Sequence, residues 1–319
     1  MSRLSRGIAD LLIPDTTGQR ALDETLEDWR QERALAESTV ARLRADSRGV
    51  RSLVSFYGAV CRVEVASRGT WRAFGWSVLA ATLGAVVMPF SWGLAGIGAF
   101  GFTAGELAAL TVLLVPNGLA ALFSAAAAIG LGQRPGRPVR LLGNMILSFA
   151  FVLVVLNWLV PAANQAFRER VWSEARQDVQ QVVGPARGAN ELSLPQLIRT
   201  ASRESHGDPS GAKRALSVRA ALTVAAPTFV LFGGVLRQRA SRRLSWRLAQ
   251  LTGGVATVAI AAVGTYGWSV IGHWIPWPAA TQLERLNAEL WLSLLIAWMA
   301  TIVLLSCAEP RNPNLAPGT

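Results

Sequence analysis

The stretch Leu141–Phe167, LLGNMILSFAFVLVVLNWLVPAANQAF, contains no charged residue and decides how the rest of the chain is interpreted. A helix rises about 1.5 Å per residue, so roughly 20 apolar residues cross the hydrocarbon core of a bilayer. Further uncharged stretches reach or approach that length, namely Ala73–Gly105, Leu107–Gln133, Ala220–Leu236, Leu248–Leu283 and Leu290–Ala308. The sequence therefore predicts an all-α, polytopic membrane protein with six transmembrane helices.

Composition supports this interpretation. Of the 319 residues, 51% are hydrophobic and only 16% are charged, whereas soluble domains carry about 25% charged residues. The net charge of +11 is of the kind that nucleic-acid-binding proteins carry. Here the arginines flank the apolar stretches, as membrane topology requires, so no nucleic-acid partner is predicted. Cys61 and Cys307 lie at opposite ends of the chain and predict neither a disulfide framework nor a metal site.

The arginines between the apolar stretches predict which side of the membrane each loop faces. The short loop 134–140 carries three arginines, and the loop Arg237–Arg247 carries five, whereas the loop after the first span has none. Basic short loops stay on the cytoplasmic side. Both termini are therefore predicted to be cytoplasmic, with three spans on either side of one external segment.

The predicted organisation follows from this topology. It comprises a cytoplasmic or interfacial helical prefix (1–70), three spans (71–161), an external helical loop (162–218), three more spans (219–308) and a cytoplasmic tail (309–319). In the prefix, Leu22, Leu26 and Trp29 share one helix face, and a further helix is expected over about 37–65. The prefix is either a docking module for a cytoplasmic partner or a solvated cap on anionic lipid.

Two features of the external loop also predict helices. Asn164–Gln181 is expected to continue the third span beyond the membrane. Ser193-Leu194-Pro195 has the composition of a helix start, with proline in the first turn.

Signatures of catalysis are missing from the sequence. The two histidines, His206 and His273, lie far apart, and no P-loop or nucleophile motif is present. The chain is therefore predicted not to be an enzyme, with no catalytic, cofactor-binding or metal-ligating residue. The fifth span does carry small residues every fourth position, which allow close helix approach: Gly253, Thr257, Ala261, Thr265 and Ser269. This face predicts either a gate or subunit interface, or ordinary packing within the bundle.

Three segments resemble the permease family that exports lipopolysaccharide, the LptF/LptG type. Leu156–Asn164, LNWLVPAAN, is similar to the family's exit motif after the third span, and Leu192–Ile198, LSLPQLI, to the segment before its fourth span. Arg219–Leu236, with Pro227 inside it and a basic loop behind it, resembles that fourth span. More weakly, Ala21–Glu32 resembles the helical prefix of some bacterial export permeases of the FtsX-like class.

The resemblance implies a permease-like subunit of a lipid-export ABC transporter in the bacterial inner (plasma) membrane, without its own ATPase activity. It implies a second permease subunit and a cytoplasmic ABC ATPase as partners, with the small-residue face of span five lining a lateral gate. Arg72 would either meet the acidic headgroup of a membrane lipid or serve only as a positive-inside anchor of span one. Arg134, Arg137 and Arg140 would form the cytoplasmic coupling loop.

Two departures from the family favour a different function. Residues 162–218 are too few for the family's outer jelly-roll domain. The loop 133–140 holds no carboxylate and two prolines, where the family has a coupling helix. The alternative is a non-transporting membrane scaffold or regulator, which binds a cytoplasmic partner through its N-terminal helices.

Overall fold

The computed structural model describes residues 13, 16–100, parts of 112–127, 141–174, 191–202, 209–240, 255 and 282–306. Within these ranges the structure is helical and contains no strand, which confirms the predicted all-α class. The helices are α1 (Thr16–Ala34), α2 (Thr39–Val65), α3 (Arg68–Phe100), α4 (Leu141–Val154), a π turn (Val155–Leu159), α5 (Val160–Glu174), α6 (Leu194–Ser202), α7 (Pro209–Ala240) and α8 (Gln282–Ser306). The described residues between 112 and 127 are also helical.

Helices α1 and α2 form an N-terminal hairpin. The Ser38 hydroxyl accepts a hydrogen bond from the Ala41 amide and so caps the start of α2. The Trp29 ring lies against Gly49, where an added Cβ would come within 2.4 Å of it. The Trp29 indole also donates to the Asp46 carboxylate at 3.1 Å. Glycine at this position therefore allows the close approach of the two helices.

A small apolar core lies inside this hairpin. Leu22 is buried, and Leu26 and Trp29 are half-buried on the same face of α1, which confirms the predicted face. The other side chains of this core are Ile13, Leu53, Phe56 and Tyr57. Charged pairs at the surface, Arg33 with Asp46 and Arg48 with Glu32, join the two helices on the outside.

A larger core joins α3, the segment 112–127, α4 and α7. Three phenyl rings lie at its centre. The ring centroids of Phe123 and Phe151 are 4.5 Å apart, and those of Phe74 and Phe151 are 5.5 Å apart. Aliphatic side chains extend the core along the helices, including Leu141, Val152, Val155, Val230 and Val235. Because these residues lie far apart in sequence, this core fixes the arrangement of the bundle.

Helix α3 buries small residues and exposes large apolar ones, and α8 exposes several large apolar side chains as well. On α3 the buried side chains recur every fourth residue: Ala73, Ser77, Ala81 and Ala85. On α8 the small residues Ser293, Ala297 and Thr301 are buried, together with Leu294 and Leu305. Large apolar side chains face outward on the same helices and on the π turn: Trp76, Leu83, Val87, Trp158, Leu295 and Met299. A soluble fold has the opposite distribution, whereas helices in lipid pack through small residues.

Two of the described helices are long and apolar enough to cross a membrane. They are Leu141–Phe167, with 27 residues, and Gly211–Leu236, with 26 residues. A shorter apolar helix covers Trp291–Leu305. Two such helices fall short of the predicted six, and six spans therefore stay a prediction.

Candidate functional site

The structure places few of the site residues that the sequence predicts. Arg72 is exposed near the start of α3 and makes no ion pair within the described part of the chain. The coupling-loop arginines Arg134, Arg137 and Arg140 lie outside the described residues, as do His206 and His273. The same holds for the face formed by Gly253, Thr257, Ala261, Thr265 and Ser269. The gate and the coupling loop therefore stay predictions.

A polar junction that the sequence did not predict lies where α2, α3 and α4 meet. Glu64, the second-last residue of α2, is buried with 6% of its surface exposed. Its carboxylate accepts a hydrogen bond of 2.7 Å from the amide of Gly143, in the first turn of α4. The first amides of a helix have no partner within the helix, and its positive end favours an anion. Glu64 thus binds the N-terminus of α4 from a separate helix.

Hydroxyl groups hold the backbone of Glu64 in place. Thr70, which is buried, donates from Oγ1 to the Glu64 carbonyl at 2.7 Å. Since that proton is used, the Ser67 hydroxyl donates to Thr70 Oγ1, 2.9 Å away. Ser67 Oγ also accepts from the Thr70 amide at 3.3 Å. These bonds join the end of α2 to the start of α3 across the break at Ala66–Ser67.

Gly143 is essential to the geometry of this junction. A Cβ added there would lie 3.0 Å from the backbone carbonyl carbon of Glu64 and 3.0 Å from its Cβ. Such contacts are too short for ordinary packing, and backbone atoms cannot swing aside as a flexible side chain can. The end of α2 therefore rests directly on the backbone of α4.

One signal in the sequence could have identified Glu64. A carboxylate in the last turn of a helix faces the negative end of that helix's own dipole, which is unfavourable. No arginine of α2 lies three or four residues from Glu64, so its carboxylate requires a partner on another element. The identity of that partner, 79 residues away, cannot be read from local spacing.

Glu64 also acts on a nearby thiol. Burial raises the pKa of Cys61, and the negative charge of Glu64, one turn away, raises it further. Burial likewise raises the pKa of the Tyr57 hydroxyl. The surroundings of Cys61 and Tyr57 therefore disfavour negative charge, and the Glu64 carboxylate on the same helix bonds to the Gly143 amide of α4.

We expect alkylation to report this electrostatic coupling. In a Cys307→Ser background at mildly alkaline pH, iodoacetamide should modify Cys61 more slowly than it modifies free cysteine, because the thiolate is the reactive form. Glu64→Gln removes the charge and keeps an acceptor for Gly143, so the Cys61 reaction should become faster and its pH profile should move to lower pH. After denaturation in SDS both proteins should react alike. An unchanged profile in the folded protein would contradict the coupling.

A π turn interrupts the helix that contains Leu141–Phe167. Pro161 has no amide hydrogen, so the Asn157 carbonyl cannot accept the usual bond from that position. The Val160 amide bonds to the Val155 carbonyl, five residues back, and not to the carbonyl four residues back as in an α-helix. The Asn157 side chain donates to the Leu153 carbonyl at 2.7 Å, while its Oδ1 is buried and accepts no hydrogen bond from the described residues. Single π turns inside helices are frequent at functional positions.

At the opposite end of the bundle, two side chains bind the segment before α6. Gln165 on α5 donates to the Glu191 carbonyl at 3.0 Å, and Arg219 on α7 donates to the Leu192 carbonyl at 2.8 Å. Arg219 is buried, with 6% of its surface exposed. Arg219 belongs to the segment that resembles the family's fourth span, but its role as an anchor was not predicted.

The predicted start of α6 is confirmed. Ser193 precedes the helix, and Gln196 accepts hydrogen bonds from both the amide and the hydroxyl of Ser193. This is half of a capping box. Leu197 is fully buried against Ala212 and Ala215 of α7. The helix α6 therefore packs on the first turns of α7. Helix α7 begins at Pro209, before the uncharged stretch Ala220–Leu236.

The described residues contain no group of three or more His, Cys, Asp or Glu side chains that could hold a metal ion. Comparison with known proteins gives no further assignment. No family model matches the chain, and neither a curated protein nor a solved structure matches it. The site is therefore interpreted from its own geometry.

Proposed function

We propose that this protein is a permease-like membrane subunit of a bacterial lipid-export ABC transporter of the lipopolysaccharide type, without its own ATPase activity. The single observation that carries the membrane part is the exposure of large apolar side chains along α3 and α8, with small residues buried on α3. In water this distribution would expose a large apolar surface, whereas in a membrane the same surface contacts lipid chains. The proposal includes six spans, with both termini in the cytoplasm.

The segments that resemble lipopolysaccharide-export permeases support the transport part. The exit motif coincides with the π turn at Val155–Leu159, where a candidate span changes its helical register. The segment that resembles the fourth span is a long helix with Pro227 inside it. Irregular helices within a membrane allow repacking during transport. In this proposal Arg72 meets a lipid headgroup and Arg134–Arg140 faces the ATPase.

The junction at Glu64 supplies a mechanical connection in this proposal. It joins the N-terminal hairpin to the start of α4 through a buried hydrogen bond. A partner that moves the hairpin would therefore move the cytoplasmic end of a candidate span. In this proposal the connection takes the place of the family's coupling helix, which the two prolines of the sequence 133–140 disfavour.

A second candidate function is a membrane scaffold that binds a cytoplasmic protein through the hairpin. The hairpin favours it, since α1 and α2 enclose an apolar core of their own. In both functions a cytoplasmic partner is expected, so the partner's identity decides between them.

The test is purification of the tagged protein from its native membranes in mild detergent, followed by mass spectrometry. We expect an ABC ATPase and a second six-span permease to copurify. A matched preparation that lacks residues 1–70 should keep the second permease, because that contact lies in the spans. Recovery of soluble proteins alone, lost with residues 1–70, would favour the scaffold and contradict transport.

A further inference from the structure

We infer that one face of α2 docks on the anionic lipid surface of the membrane. This face consists of Val40, Leu43, Val50 and Val54, which are between 51% and 66% exposed. With about 100° of rotation per residue, these four residues share a narrow arc of the helix. The arc lies to one side of the α1 contact, which uses Ala45 and Gly49. Within the described part of the chain nothing covers it.

Three arginines run beside this apolar face. Arg44, Arg51 and Arg62 are exposed and are separated by whole numbers of helical turns, so they form one row. None of the three donates a hydrogen bond or joins an ion pair within the ranges that the structure describes. Arginine side chains of this kind extend their aliphatic part along an apolar surface and place the charge among phosphate groups.

The charge of the hairpin is segregated between its two helices. Both carboxylates of α2 are engaged elsewhere: Asp46 bonds to Trp29 and Arg33, and Glu64 is buried at the junction. The fully exposed charges of α2 are therefore all basic, and Asp46, with 32% of its side chain exposed, is paired with Arg33. Helix α1 carries five carboxylates and three arginines, and the five carboxylates are exposed. An anionic surface thus attracts α2 and repels α1, which orients the hairpin.

The position of α2 in the chain favours lipid over a protein as the occupant. Only Ala66 and Ser67 separate α2 from α3, whose exposed Trp71 and Trp76 are suited to the headgroup layer. The basic face is therefore tethered at the membrane surface. Each arginine near an anionic leaflet favours the docked state about fivefold, or roughly 100-fold for three. This inference rests on the proposed membrane location.

The test uses the full chain in nanodiscs, with both native cysteines replaced by serine and one cysteine introduced for a fluorescent label. A label at Val50→Cys should be protected from acrylamide, an uncharged quencher, in discs that contain phosphatidylglycerol and exposed in discs of phosphatidylcholine alone. A label at Glu24→Cys, on exposed α1, is the control and should be quenched equally in both. High salt should remove the protection of the Val50→Cys label. The same loss is expected from the triple variant Arg44→Gln, Arg51→Gln and Arg62→Gln.

Each other outcome has a clear meaning. Equal quenching at Val50 in both kinds of disc would overturn the docking inference, while incorporation into the discs would leave the membrane proposal standing. Protection that persists in detergent, or that requires a copurified protein, would overturn it in favour of a protein occupant. Failure of the chain to enter discs at all would contradict the proposed function itself.

Discussion

Gly143→Ala should destabilise the protein and separate α2 from α4. The added Cβ would lie 3.0 Å from the carbonyl carbon of Glu64 and 3.2 Å from its carbonyl oxygen. Overpacking against a fixed backbone costs about 1–3 kcal/mol. The displacement would also lengthen the 2.7 Å hydrogen bond between the Gly143 amide and the Glu64 carboxylate. A charge-assisted bond of this kind contributes about 1.5–3 kcal/mol.

Thermal unfolding in detergent, followed by tryptophan fluorescence, measures this effect. The expected fall in Tm is about 2–4 °C for each kcal/mol lost. Gly58→Ala is the matched control, because a Cβ at Gly58 on α2 meets nothing within 4 Å. That substitution should leave Tm unchanged or raise it slightly, since alanine favours helix by about 0.5–1 kcal/mol over glycine.

Variants of Glu64 separate the steric effect from the electrostatic one. Glu64→Ala should lower Tm more than Glu64→Gln, because alanine leaves the buried Gly143 amide without its acceptor. Glu64→Ala combined with Gly143→Ala should cost less than the sum of the two, since residues in contact are not additive. Full additivity would show that the two residues act independently and that the junction does not exist as described.

Periodicity and local composition predicted much of the described fold. The face of Leu22, Leu26 and Trp29, the helix that continues past Asn164, and the start of α6 at Leu194 all follow from spacing and capping rules. Each depends on neighbours within a few residues. The same rule of small residues at every fourth position, applied to Ala73–Ala85, would also have identified the buried face of α3.

The contacts that define the candidate site were not predictable in this way. Glu64 and Gly143 meet because the bundle brings the end of one helix to the start of another. The position of Glu64 in the last turn of α2 signals an unfavourable carboxylate, but the bundle alone determines its burial and its partner. The π turn lies between these cases. Pro161 signals a lost hydrogen bond, but only the structure shows that the Val160 amide bonds to the Val155 carbonyl, five residues back.

Arg219→Ala should release α6 from the bundle. Arg219 is buried on α7, and its guanidinium donates to the Leu192 carbonyl at 2.8 Å. Leu192 lies just before α6, which begins at Leu194. Loss of a hydrogen bond from a charged donor costs about 1.5–3 kcal/mol. Because an opening free energy converts directly into exchange rate, amide hydrogen exchange over 194–202 should become roughly 10- to 150-fold faster.

Two other variants form a ranked series with Arg219→Ala. Gln165→Ala removes the neutral bond to the Glu191 carbonyl, which contributes about 0.5–1.5 kcal/mol, so its effect on the exchange of α6 should be smaller. Lys213→Ala removes an exposed charge from α7, the helix that also carries Arg219, and should have no effect on the exchange of α6. Exchange in the second half of α7, beyond Pro227, should stay slow in all three, because that half packs in the main core through Val230 and Val235. If Lys213→Ala and Arg219→Ala accelerated exchange equally, net charge rather than the Leu192 contact would hold α6 in place.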